Sequence, residues 1–339
     1  MSATAPAVSV IIPARDAGAV LGLCLDALLA GERPAGGMEI LVAGSPGDGA
    51  TKAVALADER RRADCPIRWV DNAAGSTPAG LNAALAAARG AVILRLDAHA
   101  LPAPDYVTAC LAALHATGAD CVGGGLRGRG ATAWGRAVAL AWTHPLGAGD
   151  AAFRRGGSGP VDTVYLGAWQ RTTLARLGGF DEALERNQDY ELALRIRTAG
   201  GTVWLDPAIR SSTLTRGSAA GLIRQYWGYG RGRAATWRKH RGSLRWRQLL
   251  PALWVVFLSL ALFLAVIRPE LRPWLATLPA AYLLALLAAA WQLRRRAALR
   301  DVCLLPPVLL CMHLSWGLGF WREVLDVPAT RATRRRDAS

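Results

Sequence analysis

Ala91-Val92-Ile93-Leu94-Arg95-Leu96-Asp97-Ala98-His99-Ala100 decides how this chain is read. A β-branched and apolar run ends in a carboxylate and an imidazole two residues apart, and in an extended chain residues i and i+2 point to the same side. The end of a buried strand is where an open α/β sheet binds its ligand. A hard carboxylate beside an imidazole suits a divalent ion that keeps its other positions for diphosphate oxygens. Asp and His also decorate ordinary strand ends, so the pair alone leaves a solvated loop open as the alternative.

Working outward, Val8–Ile12, Glu39–Val42 and Ile67–Val70 read as strands, while Ala19–Leu29, Thr51–Arg62 and Pro78–Arg89 carry helical apolar spacing. Such alternation predicts a doubly wound, mainly parallel sheet. Tyr106–Thr117 reads as a helix and Ala119–Gly124 as a possible strand, followed by a Gly- and Arg-rich stretch up to Pro160. Gly123, Gly125 and Gly128 match the G-x-G-x-x-G dinucleotide fingerprint by letter, but they lie far from the first strand-to-helix crossover. A flexible loop beside the site is the expectation there, and a dinucleotide oxidoreductase is the lesser alternative.

The chain has 339 residues, 52% of them hydrophobic, and a net charge of +15, with a mean hydropathy of +0.21. Up to Trp204 the charges balance, 19 basic against 19 acidic; from Leu205 onward 21 basic face 6 acidic. Leu249–Ile267, Trp274–Leu293 and Val302–Trp321 carry no charge and are each about 20 residues long, enough to cross roughly 30 Å of hydrocarbon. Arginines flank these runs, which points to anionic lipid and topology control and away from nucleic acid. Pro306-Pro307 leaves open whether the third run crosses fully. Six cysteines without Cys-x-x-Cys spacing suit a reducing compartment, and nothing in MSATAPAVSVIIPARD marks the N-terminus for export.

With these motifs goes an ordered set: VSVIIPARD (8–16), RLDAHALPAPDYV (95–107), VDTVYLGAWQR (161–171), GGFDEALERNQDYELALRIRTAGG (178–201), IRQYWGYGRGRA (223–234) and MHLSWGLGF (312–320). In wording and order the chain resembles family 2 glycosyltransferases of the GT-A fold, in their membrane-anchored, succinoglycan-type subset. The resemblance implies a GT-A domain over 1–220, a basic aromatic interfacial segment over 221–247, a membrane domain of two or three helices over 248–322 and a basic tail over 323–339. It places Pro13, Ala14, Arg15, Asp16, Asn72, Asn82, Arg95 and Asp97 at the nucleotide sugar. Asp97 and His99 stand for the metal motif, with Mn2+ preferred to Mg2+. Asp189 is the catalytic base, and Asp162, Gly167, Arg171, Gln188, Arg231 and Arg233 border the donor sugar or the acceptor.

The implied reaction is inverting transfer of one hexose from a nucleotide-diphosphate sugar, most simply a UDP-sugar, to a lipid-linked saccharide at the cytoplasmic face of a bacterial-type inner membrane. The residues agree on the base. Asn187 is a good helix cap before the helical run Gln188–Thr198, so Asp189 falls in a first turn where the helix dipole favours its ionised form. Plain dipole complementarity at a helix start explains the same residue. Two departures from the family matter. Ala43 stands where many relatives carry a uracil-recognising Asp, and Gln225-Tyr226-Trp227-Gly228-Tyr229 replaces the processive Gln-x-x-Arg-Trp signature, which favours single additions. Ala43 also leaves room for a catalytically silent nucleotide-sugar sensor or scaffold.

Overall fold

The computed structural model describes residues 5–57, 60, 64–149 and 151–326. They form two compact units, one of residues up to Arg129 with Ala151–Leu214, the other of Gly130–Asp150 with the chain from Thr215 onward.

The first unit is built on strands β1 (Val8–Pro13), β2 (Met38–Gly44), β3 (Ile67–Asp71), β4 (Val92–Arg95), β5 (Ala100–Pro102), β6 (Cys121–Arg129), β7 (Gly159–Pro160), β8 (Tyr165–Gln170) and β9 (Val203–Leu214). Their order is β3-β2-β1-β4-β8-β6-β9-β5, with β7 on β9. Helices α1 (Gly18–Leu29), α2 (Gly49–Ala55), α3 (Thr77–Ala87) and α4 (Tyr106–Thr117) connect the early strands. Strands β1 to β4 pair in parallel, as the alternation requires. Beyond β4 the sheet is mixed: β8 runs antiparallel to both β4 and β6, while β6 and β9 are parallel.

Alternation along β1 shows why the parallel half is apolar throughout. Val8, Val10 and Ile12 enter one core with Leu21, Leu25 and Tyr106, whereas Ile11 enters the other with Leu81, Ile93 and Trp169. Ser9 shares the Ile11 face, and its hydroxyl donates to the buried Glu39 carboxylate at 2.7 Å. Arg68 and the Arg89 N–H also donate to Glu39, at 2.9 and 2.8 Å. Burial pushes this carboxyl up, but the bonds from Ser9 and Arg89 and the charge of Arg68 outweigh it and hold it below the ordinary range.

Gly123, Gly125 and Gly128 lie in β6, so the expected loop is a strand. A Cβ at Gly124 would collide with the Ile209 carbonyl and one at Gly123 with Val164. The register shifts on both sides here, so glycine marks a bulge where neighbouring backbone comes close. That placement removes the dinucleotide alternative, which needs a strand-to-helix turn. Helix α2 is also shorter than the expected Thr51–Arg62, and positions 58–59 and 61–63 lie outside the described residues.

The second unit is helical: α5 (Ala133–Ala141) and α6 (Pro145–Ala148), then α10 (Ala219–Lys239), α11 (Trp246–Ile267), α12 (Arg272–Leu293), α13 (Leu299–Cys303) and α14 (Leu305–Leu325), with α7 (Ala152–Arg155), α8 (Arg171–Leu177) and α9 (Gln188–Thr198) belonging to the first unit. Three helical stretches, Trp246–Ile267, Pro269–Leu293 and Leu299–Leu325, are long and apolar enough to cross a membrane.

Because Glu39 carries its charge below the usual pKa, its contribution to stability is complete above the unfolded-state carboxyl pKa and is lost as pH falls through the lower folded-state value. Replacing Glu39→Ala is expected to cost about 1–3 kcal/mol, because it leaves the Ser9 hydroxyl and the Arg89 N–H without their acceptor while the two arginines are half-exposed. The loss, read as a denaturation midpoint at pH 7, should shrink when the pair of proteins is compared near pH 3.5. An equal difference at both pH values would show that Glu39 contributes by packing alone.

Candidate active site

Parallel pairing of β3, β2, β1 and β4 brings their C-terminal ends to one edge, and the expected residues follow those ends. Ala14 N–H donates to the Ala43 carbonyl (2.8 Å), Leu96 N–H to Ile11 (3.0 Å) and Asn72 N–H to Gly44 (2.8 Å), so backbone bonds fix the three loops side by side. After Pro13, Asp16 adopts φ 50° and its N–H donates to Asp48 at 2.7 Å. Asp48 also caps α2 by accepting from Thr51 N–H. Hydrogen bonding from Thr51, with that from Asp16, holds the Asp48 carboxyl below its ordinary range. Asp48 is a positioning residue that the sequence reading passed over, although the Asp-Gly-Ala-Thr spacing before a helix is a cap signature.

At the end of β4, Arg95 is buried and donates through Nε and an Nη to the same Asp97 oxygen, Oδ1, at 3.2 and 2.8 Å. The other guanidinium nitrogen, Nη1, has no hydrogen-bond partner among the described residues. Burial pushes the Asp97 carboxyl up, but Arg95 and His99 more than offset it, and Arg186 adds to the effect, so Asp97 is held in its charged form. Arg95 in turn is kept charged against its burial by Asp97 first and then by Asp189. The four residues Arg95, Asp97, Arg186 and Asp189 therefore act on one another across the β4 end and the turn into α9.

That turn has its own geometry. Asn187 takes the left-handed conformation, φ 63° and ψ 19°, and makes no side-chain cap bond, unlike the cap expected of it. Asp189 nonetheless lies in the first turn of α9, and its Oδ1 accepts from Tyr190 N–H at 2.8 Å. Gln188 is buried. Glu191 is fully buried and ion-paired with Arg195 at 2.8 Å, and Arg195 also donates to the Leu177 and Gly179 carbonyls. Of the two carboxylates on this turn, Glu191 is buried in an ion pair, whereas Asp189 is half-buried at the helix start.

β8 meets β4 at Leu94↔Ala168, so the next register step sets Gly167 opposite Arg95. There the ladder breaks: Leu166 and Gly167 take φ 68° and 87°, and a Cβ at Gly167 would strike the Trp169 ring. A non-glycine residue at positive φ is a local strain of the kind that collects at functional sites.

Several expected residues are placed differently. Arg171 pairs with the N-terminal end of β4, its N–H donating to Ala91 and its guanidinium to Ala88 (2.8 and 3.1 Å), which is the opposite end of that strand from Asp97. The length of β4 thus separates its contacts from Asp97 and His99. The carboxamides of Asn72 and Asn82 are spent on loops: Asn72 on Ser76 and Gly75, Asn82 on the Phe180 backbone and Glu182. Gly179, at φ 72°, leaves no room for a Cβ, which would lie 2.6 Å from Asn82 Oδ1. Asp162 is ion-paired with Arg197 at 3.3 Å, and Arg15 reaches the Gly75 carbonyl at 3.4 Å. Arg231 and Arg233 belong to the second unit, where Arg231 pairs with Glu323 at 3.0 Å and Arg233 donates to Ser243 and Gln248.

The donor set fits a divalent ion held by few protein groups. Asp97 and His99 offer one carboxylate and one imidazole, both half-buried, and Arg95 takes only Oδ1. Among the described residues no three His, Cys, Asp or Glu side chains gather into a cage. That fits a site completed by phosphate oxygens, the usual arrangement for nucleotide-bound Mg2+ or Mn2+.

Residues 6–230 match the glycosyltransferase-like family 2 pattern. The chain belongs to this family. It is 29% identical over 325 residues, 94% of each chain, to the succinoglycan biosynthesis protein ExoA of Rhizobium meliloti (strain 1021). Its fold is similar to the mannosyltransferase PcManGT from Pyrobaculum calidifontis, solved in complex with GDP-Man and Mn2+, with a TM-score of 0.57 and 21% identity over 93% of this chain and 87% of that one. The first unit is thus a GT-A-like mixed-sheet domain and the protein is a glycosyltransferase.

The reassigned positions separate binding from support. Arg171→Ala is expected to leave nucleotide-sugar affinity within about threefold of wild type, because its contacts are to backbone at the far strand end. Asn82→Ala should lower the unfolding midpoint, since it abandons the Phe180 N–H in a part-buried site, at a cost of about 1–3 kcal/mol. A tenfold loss of donor affinity in Arg171→Ala by calorimetry would return that residue to the site.

Proposed function

We propose that this glycosyltransferase moves a single hexose, with inversion, from a nucleotide-diphosphate sugar to a polyprenyl-linked saccharide at the cytoplasmic face of the inner membrane, as a step in exopolysaccharide assembly. The observation that carries this reading is the charge cluster at the end of β4, in which Asp97 and Asp189 both act on the buried Arg95. One carboxylate faces the metal-ligand pair with His99; the other sits on a helical turn.

Asp189 accepts the proton of the acceptor hydroxyl as that oxygen bonds to the anomeric carbon, and the bond from the anomeric carbon to the diphosphate breaks with its electron pair on the leaving group. One displacement from the opposite face inverts the centre. Asp97 and His99 would hold the divalent ion, which when bound supplies positive charge to the diphosphate. Arg95 fixes Asp97 Oδ1, Asp48 orders the Asp16 loop, and Pro13, Ala14 and Arg15 line the nucleotide edge. The exopolysaccharide setting rests on the likeness to ExoA, and a nucleotide sugar with Mn2+ on the likeness to PcManGT. Ala43, fully buried on β2, gives no carboxylate for uracil, so the base is read by a nucleotide-release screen over UDP-, GDP- and TDP-sugars.

Asp189→Asn keeps the shape of the turn but cannot take a proton, and loss of a general base costs on the order of a hundredfold to ten-thousandfold in rate. Transfer to a lipid-linked acceptor should fall by that factor while donor affinity, by calorimetry, stays near wild type. Transfer within a few-fold of wild type would remove Asp189 as the base.

Chelation is expected to abolish transfer. Asp97→Asn should remove activity with either ion and weaken Mn2+ binding measured by electron paramagnetic resonance. His99→Asp should retain activity and move the preference from manganese toward magnesium, since magnesium favours all-oxygen octahedra. Full activity after chelation would refute both ligand assignments.

A further inference from the structure

Length and composition make α14 a third membrane span, yet its partners contradict a crossing. Helices α11 and α12 form an antiparallel pair joined at Pro269–Leu271, with the Trp254 and Tyr282 rings 4.6 Å apart midway along them. The start of α11 and the end of α12 therefore share one end of the pair. α13 follows α12 at that end, and its buried Asp301 is held by Arg136 of α5 at 2.8 and 3.1 Å. α5, α6 and α10 all precede the first apolar helix, so no membrane crossing separates them from one another.

Along its length α14 is fastened to those same segments, and its middle also reaches the side of the hairpin, where the Tyr282 hydroxyl lies 2.7 Å from His313 Nδ1. His313 Nε2 lies 2.8 Å from the Leu146 carbonyl of α6 and donates to it. A Cβ at Gly230 of α10 would collide with the Trp316 carbonyl, and one at Gly319 with that of Trp227, so α10 and α14 touch backbone to backbone. Trp321 donates to the Ala252 carbonyl, in the second turn of α11, at 2.8 Å. At the C-terminal end the buried Glu323 pairs with Arg231 (3.0 Å) and Arg238 (2.8 Å) of α10, and Arg238 also donates to the Glu323 and Asp326 carbonyls.

A 21-residue helix is about 30 Å long, the thickness of the hydrocarbon core. Were α14 to cross, Glu323 would reach the far surface, and α10 with Arg224, Arg231, Arg233, Arg238 and Lys239 would have to follow it through hydrocarbon. The apolar content of α14 has another destination. Within its most apolar stretch 44% is buried inside the protein, against 11% for α11 and 17% for α12. Its outward residues Leu310, Leu318 and Leu325 are 38%, 46% and 70% exposed, enough to rest in the outer part of one leaflet.

We infer that α14 does not cross the membrane: it lies along the surface at which α11 begins, packed on α10 as a platform, so the protein has two spans and residues after Leu325 return to the side on which it started. The arginines at 331 and 334–336, outside the described residues, then share a side with Arg241, Arg245, Arg247 and Arg294–Arg296, as the positive-inside rule asks.

The test is relative and does not depend on which face carries the transferase. One cysteine at a time is introduced by Glu270→Cys, in the turn between α11 and α12, or by Ala329→Cys, after α14, in the full chain with Cys303→Ser and Cys311→Ser, the other four cysteines being buried. Intact cells are treated with a membrane-impermeant maleimide, then labelled again after lysis. Two spans predict strong labelling of one site and loss of labelling at the other before lysis, expected as Glu270→Cys exposed and Ala329→Cys protected. The reverse pattern also supports two spans while inverting the cytoplasmic assignment. Equal exposure or equal protection of the two sites means three crossings and overturns the proposal. Green fluorescent protein fused at either terminus of the unsubstituted chain gives the second measurement: fluorescence from both fusions or from neither agrees with two spans, and fluorescence from one alone refutes them.

Discussion

Strand β4 is where the sheet changes direction, and the site exists because of that seam. On one side β4 pairs in parallel with β1, and on the other it pairs antiparallel with β8. A parallel neighbour delivers its loop to the same edge as Asp97, whereas the antiparallel neighbour begins there. Past Leu94 the β8 backbone breaks away through positive φ at Leu166 and Gly167, and a charged residue can occupy a strand end that would otherwise be filled by packing. Arg95 fills it. A guanidinium buried in this position is tolerable only with a carboxylate on it, and Asp97 supplies that at 2.8 Å. The ion pair thus does two jobs: it neutralises the strand end and it fixes one oxygen of Asp97, the residue proposed to hold a cation.

Fixing one oxygen also limits what Asp97 can do. A carboxylate shared with arginine is a weaker cation ligand than a free one, since the guanidinium charge opposes the ion. The compensation is geometric: orienting partners around a ligand are worth on the order of 10- to 100-fold in metal affinity in characterised sites. On the proposed assignment, a site with only Asp97 and His99 from the protein would bind an ion weakly until phosphate oxygens joined it. Weak binding would suit an ion that arrives with the donor and leaves with the diphosphate.

Much of this was legible in the sequence, and the parts that were not share a cause. β1, β2 and β4 declare themselves because both of their faces are buried, and β3, half-buried at the edge, because helices alternate with all four. Asp97 and His99 after a strand and Asp189 in a first helical turn lie where the local pattern puts them, while the roles proposed for them come from the family resemblance. β8 and β9 are hidden by Gly167 and Pro207 and by the polar run Ser211–Thr213, residues that local preference assigns to loops and that tertiary pairing overrides. The glycines of β6 misled for the same reason, since their purpose is a close approach of Val164 and Ile209 from distant strands. Arg171 and Asn82 sit in motifs with the right wording, but their partners, Ala88 and Phe180, are 83 and 98 residues away.

Hydropathy carries a parallel ambiguity in the second unit. An apolar helix can satisfy its side chains with lipid or with protein, and the two environments leave the same mark on composition. What separates them is the rest of the sequence pattern. α11 and α12 have large side chains turned outward, such as Leu262 at 70% and Leu284 at 66% exposure, while α14 carries Gly317, Gly319 and Ser315 on a buried face with Glu323 at its end. Small residues let a backbone approach another helix closely, and a buried glutamate demands cations nearby. Both features make sense only if a basic helix lies alongside, and α10, with its glycines at 228, 230 and 232 and its arginines at 231 and 238, is that helix. Arg231, which looks like a ligand contact by motif, is needed first, with Arg238, as the counter-charge for Glu323 of α14, and the charge excess of the C-terminal half is in part a requirement of packing.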